Sequence, residues 1–255
     1  MPIPLKQAIK IGAYVMRQKL KGRERYPLVL MLEPLFRCNL ECIGCGKIQK
    51  PNEILNKNLT IAQCLNAAKE CGAPVVSIAG GEPLMHPEIV EIVEGLIKQK
   101  RYIYLCTNAL LLKNFFGKLP ISPFLTLSIH LDGLEDDHDR IVDQKGVFKT
   151  AVESVREAKK MGYRVTSATT FFEGTTIEQA ETFLDFLNPL GIDGVTLSSA
   201  FRYPDAPDQD HFFGRKRTQE FFKELLEKNK KGRWDISHSP LYLEFLQGRR
   251  DYDCT

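Results

Sequence analysis

From residue 26 to residue 199 short runs of Val, Ile, Leu, Tyr and Phe alternate with helical patterns, and this alternation restricts the fold most. Residues 26–33, 74–79, 102–107, 124–130, 164–172 and 194–198 read as strands bounded by Gly, Pro or polar residues. Helical patterns lie between them at about 60–71, 86–100, 147–161 and 177–187, with a short turn of helix near 110–116. Thr60 can cap the first of these and Gly162 can close the third. Strands alternating with helices make parallel βαβ units. Six units, not eight, predict an α/β fold of the partial (β/α)6 barrel type. Ligand sites in such folds lie at the carboxyl ends of the strands. The residues expected there are the cysteine segment after the first strand, 80–83, 106–108, 130–133 and 169–170.

Three regions follow. Residues 1–25 read as a basic amphipathic helix and 26–199 as the barrel core. Residues 200–255 form a C-terminal extension with a Pro- and Asp-bearing loop at 203–210, a long helix near 214–230 and a short one near 241–246. The leader carries seven basic side chains against the single acidic Glu24, whereas the rest of the chain has a net acidic balance. Leu5, Ala8, Ile9, Gly12, Ala13, Met16 and Leu20 recur at helical spacing. The simpler expectation is that this stripe packs on the barrel and leaves the lysines in water. The second is peripheral contact with an anionic membrane. No secretory signal or spanning segment is read, and no nucleic-acid partner is expected.

Seven cysteines in such a chain point to a reducing, cytoplasmic setting, where clustered thiols bind metal more often than they pair. Cys38, Cys42 and Cys45 form C-x3-C-x2-C in one short loop. Thiolates are soft ligands that suit zinc and iron–sulfur clusters. A structural zinc site is closed by four ligands, and no fourth Cys or His lies at finger-like spacing. A zinc site would have to borrow a distant thiol such as Cys64 or Cys71, whose simpler reading is packing. Three cysteines on a cubane leave one iron open to a further ligand.

The triad, followed after the second strand by Gly80-Gly81-Glu82-Pro83, resembles the radical S-adenosylmethionine superfamily. That resemblance implies a [4Fe-4S] cluster on Cys38, Cys42 and Cys45, with S-adenosylmethionine chelating the open iron. Reduction by an external one-electron donor such as ferredoxin or flavodoxin then yields a 5′-deoxyadenosyl radical. The resemblance further implies that Gly80, Gly81, Glu82 and Pro83 hold the methionine amino group, their glycines allowing close backbone approach. Thr107-Asn108 is similar to the superfamily's Thr-Asn-Gly, with Ala109 in place of the glycine. His130-Leu-Asp132-Gly133 stands where many members show Ser-x-Asp-Gly, so His130 takes the position of a ribose contact. A satisfied histidine at the barrel rim is the plainer reading of His130.

The blocks YPLVLMLEPLFRCNLECIGCGKI, ECGAPVVSIAGGEPL, YLCTNALLL, HLDG and APDQDHF resemble, more narrowly, the adenosylhopane synthase family of hopanoid biosynthesis. The resemblance runs from Pro2 to Thr255. It implies addition of the 5′-deoxyadenosyl radical to the alkene of diploptene, a hydrophobic triterpene. Members of that family continue past this point, so the chain reads as truncated and Cys254 as severed from its context. The product radical must gain a hydrogen atom, and a thiol S–H is weak enough to supply one. Cys106 is the candidate donor; a small buried hydrophobe is the alternative. Strand alternation sets Tyr102, Tyr104, Cys106 and Asn108 on one face without saying which face is inside. Tyr203, Asp208 and His211 either border the substrate or decorate a surface loop. Two rival readings stand: a radical enzyme with a peptide or cofactor-precursor substrate, and a non-catalytic zinc or iron–sulfur scaffold.

Overall fold

A computed structural model describes residues 3–203 and 205–252, so Cys254 lies outside the described residues. In chain order the elements are α1 (Leu5–Leu20), β1 (Val29–Leu32), α2 (Asn52–Leu55), α3 (Ile61–Cys71), β2 (Val75–Ile78), α4 (Ile89–Lys98) and β3 (Tyr102–Thr107). There follow β4 (Leu125–His130), α5 (Glu135–Ile141), α6 (Val147–Met161), β5 (Arg164–Phe171), α7 (Ile177–Leu187), β6 (Val195–Ser199), α8 (Arg215–Lys228) and α9 (Pro240–Leu246). The six strands form one sheet in the order β1-β2-β3-β4-β5-β6, every neighbouring pair parallel. This is a partial (β/α)6 barrel.

Local chemistry explains the element ends. Thr60 and Thr176 each make a capping box, with Gln63 and Gln179 as the reciprocal partners, and start α3 and α7. Gly72 and Gly162 close α3 and α6 in the left-handed conformation. β1 is shorter than the 26–33 expected. Pro27 cannot donate to a ladder, and Tyr26 instead packs edge-on against Tyr14 of α1. α5 was not foreseen. Its segment is acidic, with His138 and Ile141 as its only buried residues, so no apolar stripe announces it.

The sheet has two different faces. Ile103, Leu105, Leu125, Leu127, Ile129, Val165 and Leu197 point toward the helices and are sealed in the main core. The other face carries Ser77, Tyr104, Thr126, Ser128 and Cys106, set side by side by the strand register. Cys106 lines the cavity at the strand ends, so this polar row is the luminal one.

α1 lies across that face the wrong way round for simple packing. Gln7 Nε2 donates to the Tyr104 hydroxyl at 3.2 Å, and Lys10 donates to the Lys100 carbonyl beneath the rings of Tyr102 and Phe124. Its apolar stripe faces outward, which reverses the expectation that the stripe meets the barrel. The extension is no separate unit. Phe221, Phe222, Leu225, Trp234, Ile236 and Leu246 belong to the barrel's own core. Residues 235–237 cover the β6 edge through Val195 N–H to Asp235 O and Ser237 N–H to Val195 O, both 2.7 Å. Among the described residues no helix is long and apolar enough to cross a membrane.

Candidate active site at the strand carboxyl ends

A cavity of about 450 Å³ opens at the carboxyl ends of the strands. Cys38, Cys42, Cys45, Gly80, Gly81, Glu82, Cys106, Asn108 and His130 all line it. Pro83 is buried behind the turn and does not reach the cavity wall. Asp132, Thr170 and Ser198 add polar groups, while Ile141, Phe172, Phe201, Tyr203 and Phe212 supply an apolar side.

The cysteine loop is held from several directions. Gly81 N–H donates to Leu35 O at 3.0 Å and Glu82 N–H to Arg37 O at 2.8 Å. A Cβ on Gly80 would lie 2.2 Å from Leu35 O, and one on Gly81 1.8 Å from Arg37 O. The glycines therefore admit the backbone of the cysteine loop itself. On the far side Ile43 N–H donates to Ile141 O at 3.0 Å. Gly44 and Gly46 lie so close to Phe172 and Tyr203 that a Cβ would collide with either ring.

Glu82 is buried and fully used. Its carboxylate accepts from Leu84 N–H at 3.0 Å, the Thr107 hydroxyl at 2.8 Å and Asn108 N–H at 2.9 Å. Burial raises its pKa, and these three donors oppose the rise. Asn108 donates to Asn39 Oδ1 at 2.8 Å and accepts from Leu110 N–H at 3.1 Å, which pins the start of the cysteine loop to the end of β3. Ala109, where the superfamily motif carries glycine, has φ +65°.

Burial holds the Cys38 thiol up at about 11 and pushes Cys42 higher still, with the neighbouring thiols adding to both shifts. Metal binding must therefore displace protons from them. Three soft thiols on one wall fit an iron–sulfur cluster by donor chemistry. Among the described residues no three His, Cys, Asp or Glu side chains gather into a single-ion site. Neither Cys64, sealed in the main core, nor Cys71 at the end of α3 lines the cavity, so neither completes a zinc site there.

Cys106 Sγ lies 3.6 Å from Ser77 Oγ, with Ser128 beside it on β4. Burial raises its pKa against the hydrogen bonds of the two serines, so it stays a thiol. His130 Nε2 meets Asp132 Oδ2 at 2.5 Å. Burial opposes a charge on His130, but Asp132 and then Glu82 outweigh it and hold its pKa above the usual imidazole value. Asp132 is itself fixed, since Oδ1 accepts from Thr170 N–H at 2.7 Å and its own N–H donates to His138 Nδ1 at 3.2 Å. His138, Asn39, Ser77 and Ser128 escaped the reading of the sequence. Each acts through a contact across the fold and carries no motif. Of the loop residues, Tyr203 lines the cavity, while Asp208 and His211 pair with each other at 2.5 Å.

This is the architecture of a barrel enzyme that works through a thiolate-held cofactor. The model of the radical SAM superfamily matches residues 32–187, more than half the chain, so the chain belongs to that superfamily. A [4Fe-4S] cluster and S-adenosylmethionine are the superfamily's cofactors. A second model, a domain of unknown function (DUF3463), matches residues 195–255. A probable GTP 3′,8-cyclase of Methanococcus maripaludis is 24% identical over 82% of this chain and 73% of its own length. The GTP 3′,8-cyclase of Petrotoga mobilis is 28% identical over 58% of this chain. Among solved structures, Streptococcus suis SuiB bound to S-adenosylmethionine superposes with a TM-score of 0.74 over 94% of the chain, at 17% identity. The chain spans 48% of the Petrotoga protein and 56% of SuiB.

Proposed function

We propose that this radical SAM enzyme transfers the 5′-deoxyadenosyl group to the alkene of a hydrophobic triterpene, with diploptene as acceptor and adenosylhopane as product. The observation that carries the reading is the apolar part of the cavity lining, where Ile141, Phe172, Phe201 and Phe212 stand beside the 43–46 segment of the cysteine loop. Lys47 is the one Lys or Arg among the lining residues, and its ammonium is paired with Glu33. Glu82 and Asp132 line the same space, so this part of the chain offers little to a triphosphate.

Cys38, Cys42 and Cys45 would hold the cluster, with Gly80, Gly81 and Glu82 beside S-adenosylmethionine and Asn108 and His130 on the same side. When bound and reduced by ferredoxin or flavodoxin, the pair supplies a carbon radical. The chain does the rest. Glu82 locks the glycine turn to β3, Asp132 fixes the orientation of the His130 ring, and Phe172 and Phe212 keep water from the acceptor. Cys106 holds a hydrogen at Sγ, which a carbon radical left on the acceptor can take; the thiyl radical this leaves would regain the thiol with one electron from the same external donor and a proton. An acceptor of this class dwells in a bilayer, so the reading carries with it a cytoplasmic protein that meets a membrane surface.

The relatives favour a second reading, a radical enzyme with another substrate, since they are GTP 3′,8-cyclases and the fold neighbours include peptide-binding SuiB. Anaerobic incubation with S-adenosylmethionine, a reductant and diploptene separates the two. An adenosyl–hopane adduct is expected. Release of 5′-deoxyadenosine without an adduct would overturn the choice of acceptor and favour the second reading.

A further inference from the structure

We infer that the outward face of α1 is a docking surface for an anionic lipid bilayer. The helix turns Gln7 and Gln18 inward, beside half-buried Ile11, Tyr14 and Val15, and leaves its apolar stripe outward. Gln7 and Gln18 are 3% and 7% exposed, whereas Leu5, Ile9, Met16 and Leu20 are 66%, 62%, 59% and 82% exposed. Gln7 reaches Tyr104, Lys10 lies over Tyr102 and Phe124, and Tyr14 packs on Tyr26, so the inward contacts hold the helix to the barrel. The apolar stripe is thus surplus to folding.

At 100° per residue, Leu5, Ile9, Gly12, Ala13, Met16 and Leu20 share an arc of about 100°. Lys19 borders that arc on one side, and Lys6 and Arg17 border it on the other. Lys21, Arg23 and Arg25 follow directly, all exposed. Apolar residues flanked by cations on one exposed helix face suit the boundary between acyl chains and anionic headgroups. Charge also selects among occupants. Residues 1–25 carry seven basic side chains and one acidic, so pairing the stripe with that of a second copy would bring two strongly cationic segments together. An anionic bilayer turns the same charge into attraction.

Flotation of the full chain with vesicles tests this independently of the reaction. The chain should float with phosphatidylcholine–phosphatidylglycerol vesicles at low salt, lose most of that binding at high salt, and stay behind with phosphatidylcholine alone. The double variant Ile9→Asp/Met16→Asp should lower the bound fraction about tenfold or more. Its circular dichroism should match the parent's and its urea midpoint should fall only slightly, because both side chains stand mostly in solvent and little but helix propensity is lost. Replacing Lys6, Arg17 and Lys19 together by Gln should weaken the salt-sensitive part of binding, with Lys21, Arg23 and Arg25 carrying what is left. Equal flotation with neutral and anionic vesicles, or full flotation of the double variant, would overturn the inference. So would a lipid-free dimer that the double variant dissociates, since that would give the stripe to a second copy. None of these readouts measures turnover, so a missing adduct leaves the inference intact and a failed flotation leaves the reaction intact.

Discussion

Gly81 packs against Arg37 so closely that a Cβ would sit 1.8 Å from the Arg37 carbonyl oxygen, a distance no side chain tolerates. The glycine turn and the cysteine loop are in effect one unit, joined through Gly81 N–H to Leu35 O and Glu82 N–H to Arg37 O. Gly81→Ala should therefore cost about 3 kcal/mol, in the range of overpacked sites, and should also lower iron uptake. Gly12→Ala is the contrast, with nothing within 4 Å of the added atom. It should gain up to about 1 kcal/mol through helix propensity. Urea unfolding and iron content of both variants check the pair.

Ala109 poses the opposite case. It is buried with φ +65°, a conformation that costs a residue bearing a Cβ about 1 kcal/mol. Ala109→Gly should raise stability by about 0.5 kcal/mol once the added freedom of the unfolded chain is set against the relieved strain. A lower urea midpoint would show that the buried methyl contributes more than the strain costs.

Cys106 should matter for the product and not for cofactor cleavage. Its thiol faces the cavity between Ser77 and Ser128, away from the cluster triad in the sequence. With Cys106→Ala, 5′-deoxyadenosine or adenosyl adducts should still form. The yield or stereochemistry at the newly reduced carbon should change. An identical product from parent and variant would leave Cys106 as packing.

His138 should make the fold sensitive to acid. Burial first, then the neighbouring His130, lowers its pKa from 6.5 to about 4. The folded state therefore binds fewer protons than the unfolded state between those values, and stability falls as the pH drops from 6.5 to 4. The full loss is on the order of 3 kcal/mol. His138→Gln should flatten that part of the profile in urea titrations at several pH values. Parallel profiles for parent and variant would contradict the assignment.

Much of this architecture was legible because local signals agreed. β3 falls on 102–107 as its apolar run requires, and α3 begins where Thr60 and Gln63 form their box. Cys38, Cys42, Cys45 and the glycine turn were legible as motifs, and the fold brings them to one wall. What stayed hidden depends on side-chain contacts that no motif announces. His138 matters through a bond to the Asp132 backbone, and Asn39 through the Asn108 amide. The orientation of α1 was hidden for a different reason. A helical stripe says that one face is apolar, but not that the barrel presents Tyr104 and the Lys100 carbonyl to the opposite, polar face.

The central claim is that Cys38, Cys42 and Cys45 hold a cluster with one iron left open for S-adenosylmethionine. Mössbauer spectroscopy of anaerobically reconstituted protein, recorded with and without S-adenosylmethionine, tests it most directly. The account predicts one cubane per chain in which a single iron changes its signal when S-adenosylmethionine is added, and loss of that cubane in Cys42→Ala. Stoichiometric zinc, or a cluster whose four irons ignore S-adenosylmethionine, would contradict it.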